Sequence, residues 1–307
     1  MGYRAGDMSA GPGRSPNAFL ELLAAGGTIV ADGAMGTSLM AAGLEPGEAP
    51  ELWNTRPDRR DRVKAVHAAY LDAGARIVLT NTFGASPIRL EVHGAAERAR
   101  ELNETAAGLA REEAGRGAVV AGSIGPLGAF LAPLGLLTPE EACEAFAVQT
   151  AALAAGGVDV LWIETMADLA EVTAAVEGAH RAAPDLPIVT TMTFDSHGRT
   201  MMGTWPADAI AVLRDLGAAA AGANCGTGPA EIETAIAAMR PAVPGIPLVA
   251  KGNAGVPRFV GTGTVYDMTP EIGAAHARRA RELGATIIGG CCGTTPAHIR
   301  AMAEALR

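Results

Sequence analysis

Long apolar runs are missing from this 307-residue chain. None approaches the ~18 residues of a membrane-spanning helix, so no transmembrane segment is expected. Basic clusters are missing as well: 24 Lys and Arg stand against 33 Asp and Glu, a formal net charge of -9. That balance argues against nucleic acid and acidic membrane surfaces as partners. Only four cysteines occur, and two of them, Cys291 and Cys292, are adjacent. Adjacent cysteines pair poorly with each other, so the set suits metal or redox chemistry in a reducing compartment rather than a secreted disulfide framework. The first 15 residues are rich in Gly, Ser and Pro and lack the apolar core of a signal peptide. A disordered tail over 1–15, one domain over 16–307 and a cytoplasmic location are therefore expected. No Gly-x-Gly-x-x-Gly follows the first strand pattern, and no composition break divides the chain, which disfavours an open dinucleotide-binding sheet.

What is present is a regular alternation. After a short helix near 19–25, strand patterns at 28–31, 75–80, 118–123, 158–163, 188–193, 218–223, 247–250 and 285–288 alternate with amphipathic helical stretches. The helices fall near 59–73, 94–114, 139–155, 167–182, 207–215, 229–240, 270–283 and 296–306. Thr138-Pro139-Glu140-Glu141 and Thr269-Pro270-Glu271 are helix starts, and Gly74, Gly156-Gly157, Gly217 and Gly284 are helix stops. Eight β-then-α units predict an α/β chain folded as a closed (β/α)8 TIM barrel, whose catalytic groups gather at the carboxyl ends of the strands. The unusual polar residues sit at those ends: Asp32-Gly33, Asn81-Thr82, Ser123, Glu164-Thr165, Asp195, Asn224-Cys225, Lys251-Gly252-Asn253 and Cys291-Cys292.

Cys225, Cys291 and Cys292 carry the chemistry. Each lies at a strand end beside glycine: Asn224-Cys225-Gly226 and Gly289-Gly290-Cys291-Cys292-Gly293. Glycines at 289, 290 and 293 are expected to supply backbone angles that let both adjacent sulfurs face one point. Strands 6 and 8 share parity, so the three sulfurs can converge on one soft or borderline metal, zinc above all, with its fourth position open. Cys143 lies mid-helix and reads as core, and no histidine sits at a strand end. Three thiolates leave Zn²⁺ with about one net negative charge, a weak Lewis acid that still holds an incoming thiol as thiolate. The favoured chemistry is alkyl transfer to sulfur.

Asp32 and Glu164 face the predicted mouth and suit the ammonium of an amino-acid substrate; their structural alternatives are a turn cap and a helix cap. Trp53, in a chain with 4% aromatics, lies in the loop after strand 1. It either holds an onium group by cation–π attraction, worth roughly 0.5–2 kcal/mol, or plugs the loop against the barrel. Lys251 raises a rival class, a Schiff-base aldolase, which leaves the cysteines unexplained. A non-enzymatic zinc or redox module built on Cys291-Cys292 is a third class.

Asp32-Gly33-Ala34-Met35-Gly36-Thr37, Asn81-Thr82-Phe83-Gly84, Ile163-Glu164-Thr165, Gly222-Ala223-Asn224-Cys225, Lys251-Gly252-Asn253-Ala254-Gly255 and Gly289-Gly290-Cys291-Cys292-Gly293-Thr294-Thr295-Pro296 resemble the homocysteine S-methyltransferases. The likeness runs from about residue 19 to the C-terminus, and the last motif joined to Asn-Cys is highly specific. It implies Zn²⁺ on Cys225, Cys291 and Cys292 with the homocysteine sulfur as fourth ligand. It also implies that Glu164, with Asp32 nearby, receives the homocysteine amino group, and that methyl transfer is a direct displacement giving methionine. Gly33, Thr82, Ser123 and Asn224 complete the expected substrate contacts. The stretch from Gly47 through Asn54 and Lys251-Gly252-Asn253 look most like bacterial betaine-type sequences, and Trp53 resembles their donor-loop tryptophan. Gly84 departs from the animal betaine enzyme, which has tyrosine there. No second barrel for folate is expected after strand 8, and Asp195-Ser196-His197-Gly198 only begins like a cobalamin signature. The expected partners are homocysteine and a small onium donor (betaine or a sulfonium such as S-methylmethionine). The alternative is the homocysteine-activating subunit of a split methionine synthase with a corrinoid protein partner, and a homo-oligomer stays open.

Overall fold

Short runs of β-branched and aliphatic residues, each followed by a capped amphipathic stretch, assemble in the computed structural model into parallel strands wrapped by helices. The structure describes residues 17–115, 117–260 and 263–307, so the expected tail at 1–15 lies outside the described residues. The barrel strands are β1 (Ile29–Val30), β2 (Ile77–Leu79), β3 (Val119–Ile124), β4 (Val160–Met166), β5 (Ile188–Met192), β6 (Ala220–Cys225), β7 (Leu248–Gly252) and β10 (Ala285–Gly290). They pair in parallel in the order β1-β10-β7-β6-β5-β4-β3-β2, and a bridge between Ala31 and Ile77 joins the two ends. The fold is the (β/α)8 barrel that the alternation predicted.

The expected helices are α3 (Arg60–Asp72), α5 (Ala99–Ala114), α6 (Pro139–Ala155), α7 (Leu169–Ala182), α8 (Pro206–Asp215), α9 (Pro229–Ala242), α10 (Pro270–Glu282) and α11 (Pro296–Ala305). Thr138 forms a capping box with Glu141 at the start of α6, and Thr269 accepts from the Ile272 amide at the start of α10. Four pieces depart from expectation. Helix α2 (Met35–Ala41) follows β1 closely, and its N-cap Ala34 offers no capping side chain. Helix α4 (Pro87–Glu91) and a 3-10 turn, Pro50–Asn54, fill loops after β2 and β1. A small hairpin of β8 (Arg258–Val260) and β9 (Gly263–Val265) follows β7. Each is too short for periodicity to announce it.

Alternation along the strands separates two cores. Ile29, Ile77, Val119, Trp162, Val189 and Ile287 point into the lumen, and Phe19 packs with them. Leu161, Ile163, Leu248 and Ile288 face outward against the helices. Phe19 belongs to α1 (Ala18–Ala24), whose N-cap Asn17 also donates to the Asp159 carbonyl at the foot of β4, 2.8 Å. Helix α1 thus closes the amino-terminal end of the barrel. No helix among the described residues is long and apolar enough to cross a membrane.

Phe19→Ala should leave a void under the lumen and lower stability by about 3–5 kcal/mol. Urea denaturation measures this; a loss below about 1 kcal/mol, the scale of an ordinary substitution, would mean that α1 does not close the barrel.

Candidate active site

Continuing the inward parity of the strands toward their carboxyl ends brings Ser123, Glu164, Thr191, Asn224 and Lys251 into one layer above the inner core, and all five are buried. Over this layer opens a cavity of about 420 Å³, within the range of small-molecule sites. All the expected site residues line it except Trp53 and Asn224.

Parity alone would turn Cys225 outward, since Asn224 before it points in. The chain breaks the alternation: Cys225 takes a φ of 65°, and Thr165, just past Glu164, takes 63°. Positive φ costs a residue with a Cβ on the order of 1–3 kcal/mol, and a β-branched threonine is an outlier there. Asn224 fixes this backbone. Its Oδ1 accepts from the Thr165 amide (2.9 Å) and from Thr191 Oγ1 (2.7 Å), while Nδ2 donates to Thr165 Oγ1 (2.7 Å). The same Nδ2 lies 3.8 Å from Cys291 Sγ. Asn253 acts on the other side, donating to the Gly226 carbonyl at 2.6 Å and approaching Cys225 Sγ at 3.5 Å.

Cys291 and Cys292 begin a turn closed by the Thr294 amide on the Cys291 carbonyl, 3.1 Å, so their sulfurs are not constrained to opposite faces. Gly293 occupies its third position with φ 79°, as such a turn requires. The other two glycines serve a different end from the one expected. Gly289 and Gly290 stay in β10 without positive φ, but a Cβ on Gly289 would come 2.8 Å from the Asp32 carbonyl, and one on Gly290 would strike the Thr294 side chain. Gly289 is small so that the loop after β1 can close on β10, and Gly290 so that the Thr294 side chain can fold back over the strand end. Tyr70 reinforces that closure, its hydroxyl lying 2.9 Å from the carbonyls of both Ala34 and Thr294. Gly33 is bare for the same reason, since a Cβ there would meet Tyr70 and Thr294.

The ligand atoms of Cys225, Cys291 and Cys292 all lie within 4.8 Å of one another. Sulfurs bound at ~2.3 Å to one tetrahedral ion lie roughly 3.8 Å apart, so the triad fits a single metal with small adjustment. Its ionisation points the same way. Thiol hydrogen bonds from Cys291 and Cys292, with Asn253, hold Cys225 far below the usual thiol range. Cys291 and Cys292 are pushed up, chiefly because each already shares its proton with Cys225. One anion is easily made; a second and third need a cation among them.

Below the sulfurs lies a charge cluster. Ser123 Oγ donates to Glu164 Oε1 at 2.6 Å, and burial, opposed by Lys251, pushes the Glu164 carboxyl up to about 7. Lys251 Nζ lies 2.6 Å from Asp32 Oδ1, with both side chains 2% exposed. Asp32 Oδ2 accepts from the Leu79 amide at 2.7 Å. Burial disfavours the Lys251 ammonium, but Asp32 and Glu164 outweigh it and raise its pKa. A protonated amine locked on a carboxylate is no nucleophile, which removes the support for a Schiff-base lysine.

Trp53 is a correction. It is fully buried, its indole donates to Glu48 Oε1 at 2.9 Å, and the Arg59 guanidinium stacks 4.8 Å from its ring centre. It plugs the loop, and no face of it reaches the cavity. The neighbour that does is Glu51, which sequence reasoning missed: buried, it accepts from the Gly84 amide at 2.6 Å. A Cβ on Gly84 would come 2.8 Å from Glu51 Oε1, so the departure at Gly84 makes room for a carboxylate. Thr82 lines the cavity, but its hydroxyl already donates to the Ser123 carbonyl at 2.7 Å.

Asn224→Ala should release both positive-φ residues and weaken metal binding by the three sulfurs about 10–100-fold, as the loss of a residue that orients metal ligands does. Competition against a chromophoric chelator reads this directly. Unchanged affinity would show that the triad is held by its turns alone.

Comparison with known proteins agrees with the motifs. The model of the family described as "Homocysteine S-methyltransferase" matches residues 29–306. Methionine synthase of Mycobacterium tuberculosis is 35% identical over 296 residues, covering 91% of this chain and 24% of that protein. Methionine synthase of Mycobacterium leprae is 35% identical over 297 residues with the same coverage. The chain thus spans about a quarter of the length of these curated relatives. Among solved structures, the metallated form of the Escherichia coli homocysteine methyltransferase MmuM matches with a TM-score of 0.77 and 27% identity, over 94% of this chain and 99% of that one. Its oxidized form matches with a TM-score of 0.75. With a barrel, a three-cysteine cluster and a family model that agree over nearly the whole chain, this protein belongs to the homocysteine S-methyltransferase family.

Proposed function

We propose that this single barrel, spanning 16–307, transfers a methyl group from a small onium donor to the sulfur of L-homocysteine, giving methionine in the cytoplasm. The observation that carries the reading is the placement of three converging sulfurs and a buried, open-sided carboxylate in one cavity. Cys225, Cys291 and Cys292 would hold Zn²⁺, which supplies a coordination position where a substrate thiol loses its proton. Glu164 receives the substrate ammonium: Ser123 fixes its Oε1, and Oε2 is free to accept. The thiolate then attacks the methyl carbon as the bond from that carbon to the donor nitrogen or sulfur breaks, its electron pair leaving with the donor. The protein's part in that step is orientation, which requires the acceptor to be held at both its amino and sulfur ends.

A second reading is favoured by the match to methionine synthases over a quarter of their length: the barrel activates homocysteine for a partner that carries the methyl group, a corrinoid protein. Zinc-loaded protein offered betaine, dimethylsulfoniopropionate, S-methylmethionine, S-adenosylmethionine or methylcobalamin separates the two. Methionine from one onium donor, abolished by Cys292→Ala, is the expected result. Methionine from methylcobalamin alone would replace it with the second reading, and silence with all five would remove homocysteine as acceptor.

The raised Glu164 pKa sets the pH dependence. Only the ionised carboxylate attracts an ammonium, and the bound thiol also gives up a proton, so affinity for homocysteine should rise steeply with pH below about 7, where both groups contribute, and more gently above it, where only the thiol still titrates. Calorimetric titration of zinc-loaded protein measures it, and the steeper part of the slope should disappear in Glu164→Gln.

A further inference from the structure

The cavity floor holds two carboxylates, Asp32 and Glu164, and family likeness gives both to the substrate amino group. Their surroundings differ. Glu164 has one oxygen engaged by Ser123, and its other oxygen meets no donor among the described residues. Asp32 has a donor on each of its oxygens. Oδ1 is taken by the Lys251 ammonium at 2.6 Å, Oδ2 by the Leu79 amide at 2.7 Å, and its main-chain carbonyl accepts from the Gly290 amide at 2.9 Å and from Lys251 again at 3.3 Å. Lys251 is itself fixed: it stands on inward parity in β7, 2% exposed, with its ammonium 5.7 Å from the centre of the Trp162 ring beneath.

With Glu164 ionised, two carboxylates and one ammonium leave a single negative charge on this floor. A buried charge without a counter-ion is unfavourable, so the site is completed by one further cation and resists a neutral occupant. We propose that Lys251 is the specificity-determining residue of the acceptor site. As resident counter-ion of Asp32, it leaves Glu164 as the sole receiver of a substrate ammonium, so the site selects thiols that bear one α-ammonium group. This rests on homocysteine being the acceptor and adds how its amino group is read. Lys251 touches neither the sulfur nor the methyl group and acts through Asp32.

The test needs no methyl donor. L-Homocysteine and 4-mercaptobutanoate, the same thiol without the amino group, are titrated calorimetrically into zinc-loaded protein, and the readout is the ratio of their affinities. The parent protein should prefer homocysteine at least tenfold, and Glu164→Gln should bring that ratio close to one. Adding Lys251→Met to Glu164→Gln should restore a preference of threefold or more, because Asp32 is then released to take the ammonium. A purely structural lysine would not move the ratio. Preference retained in Glu164→Gln would mean that Asp32 already receives the amino group, and no recovery in the folded double variant would mean that Lys251 is not what withholds it. Either overturns the proposal. Should the double variant melt, Asp32→Asn combined with Lys251→Met, which removes the ion pair and leaves the floor charge unchanged, decides: an unchanged ratio supports the assignment and a collapsed ratio refutes it. Failure of the parent protein to bind either thiol would instead refute the homocysteine reading on which the proposal stands.

Discussion

The register of three adjacent strands is the constraint on which the site depends. Across β6, β7 and β10, Asn224 pairs with Lys251 and Lys251 with Gly289, while Cys225 pairs with Gly252 and Gly252 with Gly290. One row therefore lays down the asparagine that fixes the backbone and the lysine that fixes the charge. The next row sets a cysteine on one flank and the approach to two cysteines on the other, with glycine between them. A slip of one residue in any of these pairings would turn the inward set outward. The placement of the sulfurs and the floor electrostatics are thus consequences of one hydrogen-bond ladder.

Chemistry is layered along the barrel axis. Apolar side chains fill the lumen around Trp162, the charge cluster of Asp32, Glu164 and Lys251 rests on them, and the sulfurs stand above. The order has a physical reason. Ionised groups on an apolar floor see little solvent, so each must find a partner, and the unmatched charge falls to whatever binds. Meanwhile the strained backbone at Thr165 and Cys225 is confined to the mouth, where Asn224 offsets part of its cost with hydrogen bonds.

Much of this was legible in the residue order. Eight β-then-α units named the barrel, and Cys225, Cys291 and Cys292 stood out because glycine crowded them at strand ends. Other features were not legible, for particular reasons. Gly289 read as a source of backbone freedom, because a sequence does not reveal the close approach of a loop some 250 residues away. Trp53 read as a donor contact, because nothing in Pro-Glu-Leu-Trp-Asn tells which side of a 3-10 turn faces the mouth. Lys251 suggested a nucleophile until its partner was visible; a buried amine and a buried ion pair are spelled with the same letter.

Helix α1 seals the amino-terminal end of the lumen with Phe19, while the cavity opens only where the strands end. A vessel sealed at its foot and open at its rim fills from one end, so under the proposed reading an acceptor seated on the floor carboxylate lies beneath any donor that follows it.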